Sequence, residues 1–151
     1  MPLYDPNQNS YEVAQAALAR ARREYKVILV DVGGDWCVWC IELDRFIESH
    51  PALKKLLDEY YVRVRIYVSE SFRAEGKNLE FLRALPSIHA IPHFLIFDNE
   101  GTFLQSQRTL EFEEGSSYNH ERLKAFFEKW ADARLPPELI CAENKAGVGR
   151  T

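Results

Sequence analysis

The chain reads as an α/β layered domain. Three observations predict it: apolar runs of strand length at 27–30 and 94–97, a period-2 strand over 62–68, and helical apolar periodicity before, between and after them. With 151 residues, 46% hydrophobic and 28% charged, it is long enough for one core and too short for two comfortable ones. The expected organisation is a polar arm at 1–10, a folded domain at 11–135 and a tail at 136–151.

The elements follow in order. Asn9 and Glu12 have capping-box spacing, and Ala14, Ala17, Leu18, Ala21 and Tyr25 recur on one helical face. Val27-Ile28-Leu29-Val30 is continuously apolar, as a parallel strand covered on both faces should be, and Gly33-Gly34 ends it in a tight turn. A helix runs from about Cys37 to Ser49, with Cys40, Leu43 and Ile47 in phase and Phe46 beside them. His50-Pro51 breaks it, since the residue before proline avoids the α region, and Pro51 opens a new helix with Leu53, Leu56, Leu57 and Tyr60 on its apolar face. Val62, Val64, Ile66 and Val68 alternate with Arg63, Arg65 and Tyr67, which suggests a sheet edge with one face incompletely covered.

A short helix is expected over 78–84. Ile91-Pro92-His93 leads into the strand 94–97, a turn at 98–101 and a return strand at 102–107. Residues 111–118 read as a polar loop, in which Glu111, Glu113 and Glu114 are solvated. Asn119 caps a last helix carrying Leu123, Phe126, Phe127 and Trp130, and Leu135-Pro136-Pro137 stops it.

The chemistry concentrates in Trp36-Cys37-Val38-Trp39-Cys40, at a strand-to-helix junction. A thiol in the first turn of a helix feels unpaired N–H groups and the positive dipole end, and both favour the thiolate. Cys37 is placed to attack a disulfide, and Cys40, one turn further in, to resolve the product. Asp31, in the strand beneath, is a candidate base for Cys40. Three other readings stay open. The pair can be half of a zinc site completed by His89 and His93, which have H-x₃-H spacing, or a static disulfide, or an inert reduced pair.

Leu29-Val30-Asp31, Asp35-Trp36-Cys37-x-x-Cys40 and the later Ile91-Pro92 together resemble the thioredoxin superfamily, over roughly residues 26–130. The wording around the cysteines is similar to thioredoxin-like proteins of the bacterial envelope. The resemblance implies a thioredoxin fold: a central mixed sheet of about four strands flanked by helices, here with an extra N-terminal helix in place of the first strand. It implies that Cys37 is the nucleophile, Cys40 the resolving thiol and Asp31 the buried acid that assists it. Pro92 matches the cis-proline facing the pair. Ile91 offers backbone groups to an extended substrate, and Trp36, Val38 and Trp39 border the substrate site. His93, directly after Pro92, is a candidate to tune the thiolate or contact substrate, with a packed or exposed strand residue as its other reading. Trp39 has a second reading, because it is in phase with Leu43 and Phe46 and can anchor the helix in the core. Val38-Trp39 stands where thioredoxin has Gly-Pro, and these positions influence redox poise.

The implied activity is thiol:disulfide exchange on protein disulfides, as a reductase, with isomerase or oxidase as rivals within the fold. A zinc-stabilised or chaperone-like binding module is the rival from another class. No nucleotide-binding glycine motif or flavin site is visible, so no cofactor is expected and the electrons come from a separate protein. The net charge of −4 and the lack of a Lys/Arg block argue against nucleic acid. No apolar stretch reaches the length of a membrane span, and a monomer is expected. The first thirty residues hold no signal-peptide pattern, which favours the cytoplasm. The resemblance favours the periplasm, with a leader removed, and that reading is preferred. Cys141 is left over in the tail as a bystander.

Overall fold

The structure is a computed structural model that describes residues 2–71 and 76–140. Eight principal elements form the domain. They are α1 (Ser10–Glu24), β1 (Val27–Gly33), α2 (Val38–Ser49), α3 (Pro51–Tyr60), β2 (Tyr61–Tyr67), α4 (Gly76–Arg83), β3 (His93–Phe97) and β4 (Phe103–Arg108). A 3₁₀ turn (Thr109–Phe112), the two-residue strands β5 (Glu113–Glu114) and β6 (Ser117–Tyr118), and α5 (His120–Ala131) complete it.

The main sheet has the order β2-β1-β3-β4. β1 runs parallel to β2 and antiparallel to β3, and β3 is antiparallel to β4. This is the four-stranded mixed sheet of a thioredoxin fold, with α1 in place of a first strand. β1 is buried at every position, as its unbroken apolar run requires. β2 lies at the edge, in keeping with its arginines. They are less solvated than the alternation suggests. Arg65 reaches Asp44 on α2 at 2.6 Å, and Arg63 lies 3.6 Å from Glu48.

Two layers cover the sheet. On one face, Ala17 and Ala21 bring α1 close to Ile28, Val30, Val62, Val64 and Leu95, and Phe81 and Leu82 of α4 extend the cover. Ser10 Oγ donates to Asn78 Oδ1, which satisfies two buried polar groups where α1 meets α4. On the other face, Leu43, Phe46 and Ile47 of α2, Leu53 and Leu57 of α3, and Leu123, Phe126 and Phe127 of α5 pack on Leu29, Phe94 and Ile96. Each fully buried side chain of this size contributes about 1.5–3 kcal/mol.

Asn9 caps α1 by accepting from Tyr11 N and Glu12 N, and Asn119 caps α5 by accepting from Arg122 N. α1 ends at Tyr25, whose backbone is left-handed at φ 60. Arg134 lies against the rings of both Tyr25 and Tyr60, at 4.5 and 4.6 Å. That contact ties the end of α5 to α1 and α3.

Three expectations need correction. The segment 1–10 is not a free arm. Tyr4 is 2% exposed, and the amides of Leu3 and Tyr4 donate to the Asp35 carboxylate at 2.8 and 2.9 Å. The segment 111–118 is not simply a polar loop, because Phe112 and Tyr118 turn into the core on either side of the β5–β6 hairpin. α5 stops at Ala131, before the prolines, and Asn99 then holds Leu135 through both of its backbone groups, at 2.9 and 2.8 Å. The tight turn expected after β1 is present, since Cys37 N–H donates to the Gly34 carbonyl at 3.1 Å, although neither Gly33 nor Gly34 has a positive φ. Cys141 and residues 142–151 lie outside the described residues.

Candidate active site

β1 delivers the chain through Gly33-Gly34 to the start of α2, and Cys37 is the N-cap of that helix. Its Sγ accepts from the Cys40 backbone N–H at 3.2 Å, the position a capping oxygen usually takes. Cys40 lies one turn in and is buried. Both thiols are free.

Their electrostatics differ in sign. The Cys37 thiol is pulled down to about 7. The hydrogen bond from the Cys40 thiol is the largest cause, the Cys40 and Trp39 backbone N–H groups add to it, and burial and the Asp31 charge oppose it. Cys40 is pushed up, first by its role as donor to Cys37 and then by burial. One thiol is thus ready to ionise near neutrality while the other keeps its proton. Alkylation of Cys37 in the reduced protein should rise with pH around a midpoint near 7. A midpoint at the ordinary thiol value, about 8.5, would refute this asymmetry.

Asp31 is 6% exposed, and its Oδ1 accepts from the Tyr4 hydroxyl at 2.8 Å. Burial raises its pKa, while the Tyr4 hydrogen bond and the Arg65 and Arg63 charges from β2 hold it back. Tyr4, Cys37 and Cys40 form one buried cluster, with Leu3, Trp36, Trp39, Tyr67 and Ile91 packed around it.

The glycines now have a reason. A Cβ on Gly33 would sit 2.6 Å from Cys40 Sγ and 2.9 Å from Tyr4 Oη. A Cβ on Gly34 would sit 2.3 Å from Trp36 Nε1 and 3.0 Å from the Val68 carbonyl oxygen. Trp36 needs that space, because its Nε1 donates to the same Val68 carbonyl at 2.9 Å.

The other candidates divide. The Ile91-Pro92 bond is cis. Ile91 packs on the cysteine cluster, and the Pro92 carbonyl accepts from Thr109 Oγ1 at 2.6 Å. Val38 is 81% exposed and shares a shallow groove with Trp36, Trp39, Ile41 and Ser116. Trp39 packs on the core cluster, as the second of its readings has it. It lines that groove, and its ring also stacks edge-on against Tyr118 at 5.3 Å.

His93 is not brought to the cysteines. Its Nε2 pairs with Ser106 Oγ at 2.7 Å, toward the β4 edge, and its Nδ1 is buried with no hydrogen-bond partner among the described residues. The zinc arrangement does not assemble either: among the described residues, no three His, Cys, Asp or Glu side chains are placed to hold a metal ion. Burial, then Arg108 and His89, push His93 down to about 4 from 6.5. As pH falls, the unfolded chain takes up this proton first. Stability is therefore lost between pH 6.5 and 4. His93→Gln should flatten that part of the stability–pH curve in urea titrations, and an unchanged curve would contradict the assignment.

Two residues that the sequence reading missed belong to this site, Tyr4 and Asp35. The available signal was the adjacent apolar pair Leu3-Tyr4 inside an otherwise polar arm.

Known proteins share this architecture. Over 111 residues the chain is 28% identical to the thiol:disulfide interchange protein DsbD of Cronobacter sakazakii, an alignment covering 72% of this chain and 18% of that protein. The chain thus matches less than a fifth of the length of that relative. A disulphide isomerase from Xylella fastidiosa superposes with a TM-score of 0.68 at 22% identity, over 84% of this chain and 95% of that one. The C-terminal domain of DsbD from Neisseria meningitidis does so with a TM-score of 0.55 at 11% identity, over 80% and 95%. At these identities the two structures speak for the fold. The thioredoxin-like family model matches residues 9–99, from the cap of α1 through the cysteine pair to the turn after β3, and the chain belongs to the thioredoxin-like family.

Proposed function

We propose that this protein is a thiol:disulfide oxidoreductase that reduces protein disulfides through Cys37 and Cys40. The observation that carries the reading is the asymmetry of the two thiols, one capping α2 and lowered to about 7, the other buried and held protonated.

The Cys37 thiolate attacks one sulfur of the substrate disulfide, and the other sulfur leaves as a thiolate. The mixed disulfide then holds its reactive bond beside Cys40. Cys40 loses its proton toward Asp31 and attacks Cys37 Sγ. The substrate's second thiol departs, and Cys37–Cys40 is left oxidised. The substrate gains two electrons and two protons, and a separate redox protein restores the dithiol. Val38, Trp36 and Trp39 offer an apolar rim for the substrate, and the Ile91 backbone borders it.

The degree to which the thiolate is stabilised supports the reductive direction. A strongly oxidising pair has a nucleophile pKa near 3.5, whereas a thioredoxin-type reductant sits near 7. Cys37 lies at the latter end, since the Cys40 thiol and the Cys40 and Trp39 backbone N–H groups assist it while burial and the Asp31 charge oppose it. The periplasm fits the resemblance to envelope proteins, and disulfide-bearing proteins are the partners.

The test is the reduction potential of the pair, by equilibration against glutathione and dithiothreitol with mass-spectrometric readout. A value near −270 mV supports a reductase, and values of about −120 to −180 mV would point to oxidation or isomerisation instead. A protein that keeps its function as Cys37→Ala would be a binding module.

A further inference from the structure

We propose that Tyr4 relays the proton from Cys40 to Asp31, its hydroxyl acting as the link between thiol and carboxylate. The inference rests on the dithiol reading above and names a residue which that reading does not use.

Three observations carry it. Tyr4 Oη donates to Asp31 Oδ1 at 2.8 Å in a buried setting. Tyr4 Oη and Cys40 Sγ converge on the same point above Gly33, at 2.9 and 2.6 Å from where a Cβ would stand, and the two residues share one buried cluster. The segment bearing Tyr4 is fixed over the site, because Asp35, two residues before Cys37, accepts from the Leu3 and Tyr4 amides through its two oxygens. A hydroxyl is both donor and acceptor, so a group in this position can take one proton and pass on another.

In the resolving step the Cys40 S–H proton moves to the Tyr4 oxygen as the Tyr4 O–H proton moves to Asp31. The Cys40 thiolate bonds to Cys37 Sγ, the bond from Cys37 to the substrate sulfur breaks, and that sulfur leaves with the electron pair and is protonated by solvent. Tyr4 ends unchanged and Asp31 ends neutral. Among the described residues, the charged and titratable groups around Asp31 are Tyr4 from the N-terminal segment, Arg63 and Arg65 from β2, Asp44, Cys37 and Cys40 from α2 and its cap, and Tyr118 from β6. On β3 its neighbour is Phe94, which carries no charge.

Tyr4→Phe keeps the ring and removes the relay. An aromatic disulfide that releases a coloured thiol separates the steps by stopped flow, with one equivalent from Cys37 attack and one from Cys40 resolution. The variant should keep the first rate and slow the second by about 100-fold, the lower end for a positioned acid–base group. The acid limb of the remaining resolution rate should move to higher pH, because Asp31 loses the hydrogen bond that favours its ionised form. Tyr4→Phe combined with Asp31→Asn should be no slower than Asp31→Asn alone, since both remove one path. A wild-type resolution rate and pH profile in Tyr4→Phe would overturn the relay, as would an equal slowing of both steps. If the variant does not fold, resolution in mixtures of light and heavy water decides with the wild-type protein. A bowed dependence means two protons in flight, and a linear one means one proton and no relay. If the wild-type pair forms no mixed disulfide at all, the dithiol reading itself falls, which is a separate outcome.

Discussion

Cys40→Ala should capture disulfide substrates as stable mixed disulfides on Cys37, and multiple turnover should cease. The magnitude comes from geometry. A well-placed intramolecular group acts with an effective concentration on the order of 10⁵ M or more, so an external thiol at millimolar concentration replaces Cys40 poorly. Resolution should slow by at least about 10⁵-fold, while the first attack persists. Non-reducing electrophoresis and intact mass should show one substrate adduct per protein, which a reductant removes. Cys37→Ala should form no adduct under the same conditions. Turnover of Cys40→Ala at the wild-type rate would rule out a resolving role for the inner thiol.

Phe127→Ala should have the largest effect on stability. Phe127 is fully buried, and its ring lies 6.0 Å from Phe94, 5.8 Å from Phe126 and 5.8 Å from Tyr61. Its carbonyl also accepts from the buried Tyr61 hydroxyl at 2.6 Å, so the residue joins α5 to the start of β2. Truncating a core phenylalanine costs about 3–5 kcal/mol. A domain of ordinary stability holds only about 5–15 kcal/mol. The melting temperature should fall by about 10 °C. Alkylation of Cys37 should keep its midpoint, because the cysteines pack in a separate cluster with Tyr4 and the two tryptophans near the site. A loss under about 1 kcal/mol would mean that the core closes over the gap.

The parts of this fold that were legible in the sequence are those whose cause is local. The apolar run at 27–30 marks a strand buried on both faces, Asn9 and Asn119 mark helix starts, and His50-Pro51 marks a break. The place of the cysteine pair between an apolar run and a helical pattern puts a thiol at the start of a helix. What was not legible depends on distant partners. Nothing near Tyr4 announces that it crosses to Asp31, since the bond spans two segments with a helix between them. Phe112 and Tyr118 sit among glutamates and serines, and only their packing on α2 and α5 turns a polar stretch into core. His93 follows Pro92 directly, yet strand alternation sends it to Ser106, away from the pair. Gly33-Gly34 announces the turn that follows, but not the space that Cys40, Tyr4 and Trp36 occupy against the two glycines.

Gly33 is consequently matched in size to two partners at once, Cys40 and Tyr4. A smaller residue at position 4 would free only one side of it, because the Cys40 sulfur stands closer still. Position 33 is therefore expected to stay glycine among close relatives even where position 4 changes. The freedom to vary the group that faces the inner thiol lies at position 4 alone.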